Sequence, residues 1–331
     1  MNKQTPVITE YIPKNFGADY CKIRGSEQWP MFAAVALGAK PAYDDWVPIH
    51  KYEEFVSICN AYGMVVDPDV LITPVDSPKQ EISGGTNITT SFYKATHFNK
   101  NAKDGYVHVF VSSTMEGVQK TKRYGWYSVV MNRSFINKPY IDHLRFGGAL
   151  GYPECCIDFF RSHNNWALYS HPYESYKRTP KSEGKNTGSY YCNNFLMGKS
   201  YSLIHHIPCS YRCQKTISLA KQVEKKLENV EPLFVTKAAE MLRKPLLVFG
   251  ERHFVIFDGI LSGSRNAVEI SYTNAEYTTN PARKEDQMDL AGTLSEGNAV
   301  SITKDHIIIK NNESAIKKID KIERWFVIGF E

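Results

Sequence analysis

No stretch of this chain approaches the ~18 uninterrupted apolar residues that mark a membrane-spanning helix, so no span is expected. Residues 1–17 contain no apolar segment of the secretory kind, so no signal peptide is expected either. A Gly-x-x-x-x-Gly-Lys-(Ser/Thr) loop is missing, which counts against a P-loop nucleotidase, and so is Gly-x-Gly-x-x-Gly. "FGGALGYP" (146–153) reads as a glycine cluster at a helix end and not as a dinucleotide-binding turn. There is no internal repeat and no low-complexity tract. Neither sign of charge dominates: 40 Lys and Arg against 35 Asp and Glu give a net charge of +5. That balance admits an anionic substrate or nucleic acid without arguing for either. Cysteine is scarce, at seven in 331 residues. With no leader and no span, the expected compartment is the cytoplasm, where thiols stay reduced, and clustered cysteines there read as metal-binding or redox-active.

A chain of this length can bury roughly three-quarters of its unfolded surface and needs no cysteine staples to fold. The patterning predicts an α+β protein: a helical cysteine-bearing core with a small sheet, plus a C-terminal β-rich, barrel-like domain. Three regions follow, an N-terminal α/β region over 1–135, a helical four-cysteine region over 136–244 and the β-rich tail over 245–331. "IHKYEEFVSICNAYG" (49–63) carries Tyr52, Phe55, Val56 and Cys59 at helical spacing. "MVVDPDVLI" (64–72) predicts a strand broken by Pro68, "GYVHVFVSS" (105–113) a strand, and "WYSVVMN" (126–132) another. Residues 77–91 and 170–191 read as loops, the second a polar flap with a basic bias. Helices are expected over 138–151, 208–229 and 233–244. After Pro245 the apolar period changes from that of a helix to that of a strand, and no helix longer than three turns is expected there.

Four of the seven cysteines form two pairs, each just after a proline: "GYPECCIDFF" (151–160) and "HHIPCSYRC" (205–213). Proline suits the first position of a helix. That places Cys155 and Cys156 in one first turn and Cys209 in another, with Cys213 a turn further along the same face as Ile217, Ala220 and Leu227. Positive helix ends favour thiolates. Four buried thiolates repel one another unless a metal centre deprotonates and neutralises them. Their sulfurs should therefore lie within about 7 Å of a common centre. Cys-Cys and Cys-x3-Cys are not the Cys-x2-Cys knuckles of a zinc ribbon, and adjacent cysteines point about 100° apart on a helix. The spacing favours an iron–sulfur cluster, [4Fe–4S], as cofactor, with zinc as the alternative and redox thiols as a third reading. Glu154 and His206 flank the pairs and are the acid/base candidates. Cys192 is an extra candidate ligand, and Arg145, Arg161 and His163 are candidate anion contacts.

These motifs resemble the pattern Leu-Gly-Tyr-Pro-x-Cys-Cys-x-x-Phe-Phe followed by His-x-Pro-Cys-x-x-x-Cys-x-x-(Ser/Thr). It marks a prokaryotic family of unknown function, numbered 483 among such domains. The resemblance covers roughly residues 140–331. It implies that Gly151, Pro153, Cys155, Cys156, His206, Pro208, Cys209 and Cys213 act as one unit, and it implies no activity. The expected function is an iron–sulfur or other metal-dependent enzyme acting on a small or nucleotide-like substrate. The alternatives are a nucleic-acid or partner-binding protein with a structural metal, and a thiol redox protein.

Overall fold

The computed structural model describes residues 6–83, 87–125, 129–131, 134–135, 142–163, 171–180, 186–250, 253–264, 267–278, 285–321 and 323–331. The chain divides into two compact units: Ile12–Asp158 with Lys225–Glu231, and Met1–Tyr11 with Phe159–Glu224 and Pro232–Glu331. Helices and sheets occur in both, which makes this an α+β protein. Among the described residues no helix is long and apolar enough to cross a membrane.

The first unit opens with helices α1 (Ala18–Arg24) and α2 (Trp29–Ala36), then strand β1 (Ala42–Pro48) and helix α3 (Tyr52–Ala61). Strands β2 (Val65–Ser83), β3 (Asn87–His97) and β4 (Tyr106–Ser112) follow, then helix α4 (Met115–Tyr124), strands β5 (Val129–Met131) and β6 (Ser134–Phe135) and helix α5 (His143–Ala149); helix α6 (Glu154–His163) begins in this unit and passes into the second at Phe159. The sheet runs β1-β4-β2-β5-β6, with β3 paired to β2. β4 is covered on both faces, because Val107, His108, Val109, Phe110 and Val111 are each 0% exposed. Tyr52, Phe55 and Cys59 bury the predicted face of α3. Pro68 does not end its strand: β2 continues through a register shift between Pro68 and Leu71. Of the loop expected over 77–91, residues 79–83 and 87–91 are instead the paired ends of β2 and β3, with Ser83 opposite Asn87, and residues 84–86 lie outside the described residues. Ladder bonds are made by the backbone, so a polar run can pair without announcing itself by apolar alternation. Of the strand expected over 126–132, residues 129–131 are strand and the others lie outside the described residues.

The second unit holds helix α7 (His171–Arg178), the two-residue strand β7 (Thr187–Gly188), helices α8 (Gln214–Glu228) and α9 (Pro232–Leu242) and strands β8 (Leu246–Gly250), β9 (His253–Ser264) and β10 (Ala267–Thr278). Helix α10 (Glu285–Glu296) and strands β11 (Ala299–Ile302), β12 (His306–Asn311), β13 (Ser314–Asp320) and β14 (Phe326–Phe330) complete it. Its sheet is a meander with two ends, ordered β13-β12-β11-β10-β9-β8-β14-β7. No pairing of β13 with β7 joins those ends among the described residues. All pairs are antiparallel except the last, where Gly329 and Phe330 run parallel to Thr187 and Gly188. Leu247, Phe257, Ile270, Val300, Ile309 and Val327 form the core of this sheet.

Two expectations fail here. The polar flap over 170–191 contains α7, whose Pro172 and Glu174 near the start and Lys177 and Arg178 in the last turn are ordinary helix-end signals. Residues 170 and 181–185 of that flap lie outside the described residues. The tail contains α10, at 12 residues just over three turns. Leu294 of α10 is 2% exposed in the sheet's core and Leu290 packs beside it. That i,i+4 pair was the available sign of a helix. Leu294→Ala is expected to cost about 2–5 kcal/mol through lost burial and the cavity left behind. Urea denaturation of the variant against wild type measures this.

Candidate metal centre

Helix α6 starts where the carbonyl of Pro153 accepts the amides of Cys156 and Ile157, at 2.9 and 3.0 Å. Pro153 is thus the cap residue, and Cys155 and Cys156 are the second and third residues of the first turn, as predicted. Gly151 makes this entry possible. It has φ +77°, and a Cβ there would stand 2.6 Å from Pro41 Cδ, so only glycine fits. Glu154 is exposed in the same turn, where the helix dipole favours its charge.

The second pair departs from expectation. Pro208 does not begin a helix, and α8 starts only at Gln214. A helix from Pro208 would use its carbonyl to accept the amide four residues on. That carbonyl instead accepts the hydroxyl of Ser175 at 2.7 Å. The Tyr211 amide donates to Thr179 Oγ1 at 2.9 Å, and the Tyr211 carbonyl accepts the Ser189 amide at 2.8 Å. The Arg212 amide donates to Ser210 Oγ at 3.1 Å, and the Cys213 amide to the Ser210 carbonyl at 3.0 Å. The Pro208 carbonyl and the Arg212 amide, which a helix from Pro208 would join, thus have other partners, and 208–213 is a turn. Cys209 lies within it. Cys213 caps α8, its carbonyl accepting the Ile217 amide at 2.9 Å. The buried stripe of α8 is Thr216, Ala220, Val223 and Leu227, with Ile217 only half-buried.

Two further supports hold this turn. Arg212 donates from Nε to the Thr187 carbonyl at 3.0 Å and from Nη2 to Thr187 Oγ1 at 2.8 Å, and it forms an ion pair with Glu331. Gly188 lies so close that a Cβ would meet Tyr211 Cβ at 2.7 Å. Helix α7 holds the turn through Ser175 and Thr179. It also holds α6, because His171 stacks on Phe160 at 5.4 Å and the Arg178 guanidinium sits 4.9 Å from the centre of the Phe159 ring.

The sulfurs of Cys155, Cys156, Cys209 and Cys213 all lie within 4.8 Å of one another. They converge as predicted and can hold a metal ion. Cys155 and Cys156 are 4.0 Å apart at sulfur, about twice a disulfide bond. Cys156 and Cys213 are buried, and Cys155 and Cys209 are half-buried. Three of the four stand at the cap or first turn of a helix of ten or more residues, where amide dipoles favour the thiolate.

The remaining candidates are placed as follows. His206 is 7% exposed, and its Nε2 is 2.9 Å from Oγ1 of Thr216, in the first turn of α8. Cys192 is 0% exposed and directs its thiol to the Cys213 carbonyl at 3.9 Å, and burial pushes that thiol's pKa up. It is not part of the four-sulfur group. His163 Nδ1 donates to the Phe159 carbonyl at 2.8 Å, Arg145 pairs with Asp142, and Arg161 is exposed. Sequence reasoning missed Ser175, Thr179, Thr187 and Glu331. Of these, only Ser175 and Thr179, one helical turn apart, left a trace to follow.

The chain matches no family model, no curated protein and no solved structure. What its fold and site define is a class: an α+β protein with a four-thiol group able to hold a metal ion.

Thr179→Val keeps the shape and strips the acceptor from the Tyr211 amide, and Ser175→Ala strips the donor from the Pro208 carbonyl. Each is expected to cost about 1–3 kcal/mol. Each is also expected to speed the modification of Cys209 by a thiol reagent more than that of Cys59. Denaturation curves and per-cysteine labelling read by mass spectrometry check both effects.

Proposed function

We propose that Cys155, Cys156, Cys209 and Cys213 bind one tetrahedrally coordinated metal ion of the zinc type, and that this ion is a structural staple. The sulfur spacing carries the reading. Metal–sulfur bonds of about 2.3 Å in a tetrahedron give sulfur–sulfur edges of about 3.8 Å. The four sulfurs, within 4.8 Å of one another, need only a small contraction to reach it. A cubane cluster sets each thiolate on its own iron, so its four sulfurs stand further apart than around a single ion. The splay of adjacent cysteines, on which the cluster expectation rested, leaves Cys155 and Cys156 only 4.0 Å apart at sulfur.

Four protein thiolates leave no open coordination position, which is the mark of a structural and not a catalytic zinc site. The function that follows is stabilisation of the cysteine region, and binding of the ion is then part of the folding free energy. His206, expected as an acid/base, serves in this reading to hold the loop before Pro208 onto α8 through Thr216. Glu154 complements the dipole of α6. We further propose membership of the prokaryotic family numbered 483, on the strength of the two cysteine motifs.

Anaerobic purification followed by metal analysis and an absorption spectrum tests this. The expected result is a colourless protein with one zinc per chain, which Cys209→Ser weakens. His206→Ala and His206→Gln are expected to keep the metal and lower the melting temperature. A brown protein absorbing near ~400 nm with several irons per chain establishes a cluster and overturns the reading. A colourless protein that takes up neither zinc nor iron overturns both forms of it.

A further inference from the structure

The four thiols of the metal centre are not equivalent. Cys156 and Cys213 are 2% and 8% exposed, whereas Cys155 and Cys209 are half-buried. Their neighbours repeat the pattern, since Glu154 ahead of Cys155 is exposed and Ser210 after Cys209 is half-buried. The group thus has an inner pair and an outer pair. Each pair takes one cysteine from α6 and one from the segment leading into α8. Cys192 is 0% exposed and directs its thiol to the Cys213 carbonyl at 3.9 Å. Cys59 is also 0% exposed, and burial pushes its thiol up to about 12. Neither belongs to the four-sulfur group. Oxidants attack the accessible thiolate first, so the outer pair is where oxidation starts.

Geometry limits which sulfurs bond to one another. Cys155 and Cys156 are 4.0 Å apart at sulfur, but they are neighbours within α6. Their Cα atoms are then about 3.8 Å apart across a trans peptide. An unstrained disulfide needs about 4.4–6.8 Å, so this pair closes only by distorting the helix. Of the remaining pairings, all but one include a buried cysteine. The exception joins Cys155 to Cys209, on separate segments, with sulfurs within 4.8 Å of each other. From there a bond of about 2.05 Å is reached by moving the sulfurs less than about 3 Å in total. The two differ in reactivity. Cys155 stands in the first turn of α6, where amide dipoles stabilise its thiolate and so reduce its nucleophilicity. Cys209 stands in the turn ahead of α8, without that stabilisation, and is the better attacking sulfur.

We propose that Cys155 and Cys209 form a peroxide-sensitive modification site, at which oxidation to a disulfide expels the metal ion. The expulsion rests on the zinc reading given above, and the disulfide rests on the sulfur geometry alone. The Cys209 thiolate attacks one oxygen of hydrogen peroxide: an S–O bond forms, the O–O bond breaks and hydroxide leaves. The sulfur is oxidised by two electrons to a sulfenic acid, and the peroxide is reduced. The Cys155 thiolate then attacks the sulfenic sulfur: an S–S bond forms, the S–O bond breaks and a second hydroxide leaves. Two thiolates and one hydrogen peroxide give one disulfide and two hydroxides. The ion is left with Cys156 and Cys213, half of a closed tetrahedral site, and dissociates. A resolving thiol this near captures the sulfenic acid before it is oxidised further, and a thiol reductant restores all four thiols by exchange.

The probe is stoichiometric hydrogen peroxide, added to anaerobically purified protein whose metal content has been measured. A chromophoric chelator reads released zinc. Peptides alkylated without reduction are read by mass spectrometry, with fragment ions that separate Cys155 from Cys156. The expected product is the Cys155–Cys209 disulfide, with zinc released in step and both changes reversed by a thiol reductant. It is expected to form at least about 10-fold faster than Cys59 or Cys192 is oxidised. Cys155→Ser is expected to leave Cys209 as a sulfenic acid that dimedone captures, and Cys209→Ser to abolish the disulfide. The wild-type map decides the pairing whether or not either variant folds. Any other pairing as the main product overturns the proposal, and so do four thiols that stay reduced while the half-buried Cys21 is oxidised. A disulfide that forms with zinc retained overturns the expulsion. A chain without zinc before peroxide is added overturns the staple instead, and the disulfide map of that metal-free protein still decides the Cys155–Cys209 pairing.

Discussion

Two hydroxyl groups on one helix decide the shape of the thiol site. Ser175 and Thr179 of α7 bond the Pro208 carbonyl and the Tyr211 amide, and they hold 208–213 as a turn. A helix there would have spaced Cys209 and Cys213 along a rising cylinder. The turn instead folds Cys209 back toward Cys213, and four sulfurs come within 4.8 Å of one another. The same helix grips α6 through Phe159 and Phe160. The parts that bring the thiols together are therefore neutral hydrogen bonds and ring contacts, and each carries only a modest free energy. Their convergence gives a metal ion a ready-made seat.

Charge explains why the seat favours a cation. First-turn and cap positions on α6 and α8 stabilise thiolates one at a time, but four together repel. Arg212, the nearest cation along the chain, is committed to Thr187 and Glu331 and braces the turn. The first unit handles charge differently. There Asp45 accepts both Arg24 and the Tyr20 hydroxyl, the usual full pairing of a buried carboxylate.

The cysteine motifs were legible because proline and adjacent cysteines are local signals, and α6 followed from Pro153 almost residue by residue. The strand β4 and the helices α3 and α9 were legible from apolar period alone. The turn at 208–213 was not, because its cause lies about thirty residues upstream in the hydroxyls of Ser175 and Thr179, which stand in a polar stretch. Helix α7 was hidden by a polar sequence, and α10 by a short apolar stripe of Leu290 and Leu294 inside a tail dominated by strands. The β2–β3 pairing was hidden because its ladder is built from backbone groups. Local chemistry thus exposed which residues form the site, while tertiary hydrogen bonds set how they meet.

The pairing of β14 with β7 has a consequence in time. Glu331 and Arg212 are 119 residues apart in sequence, and Glu331 exchanges backbone hydrogen bonds with Gly188 and Tyr190. Contacts of such separation form only after the intervening chain has lost much of its freedom. The frame around Cys209 and Cys213 thus carries the loop-closure cost of the long chain between them and Glu331, which the strands from β8 to β13 occupy. Before that frame closes the chain offers an ion seven sulfurs, and closure is what sets four of them side by side.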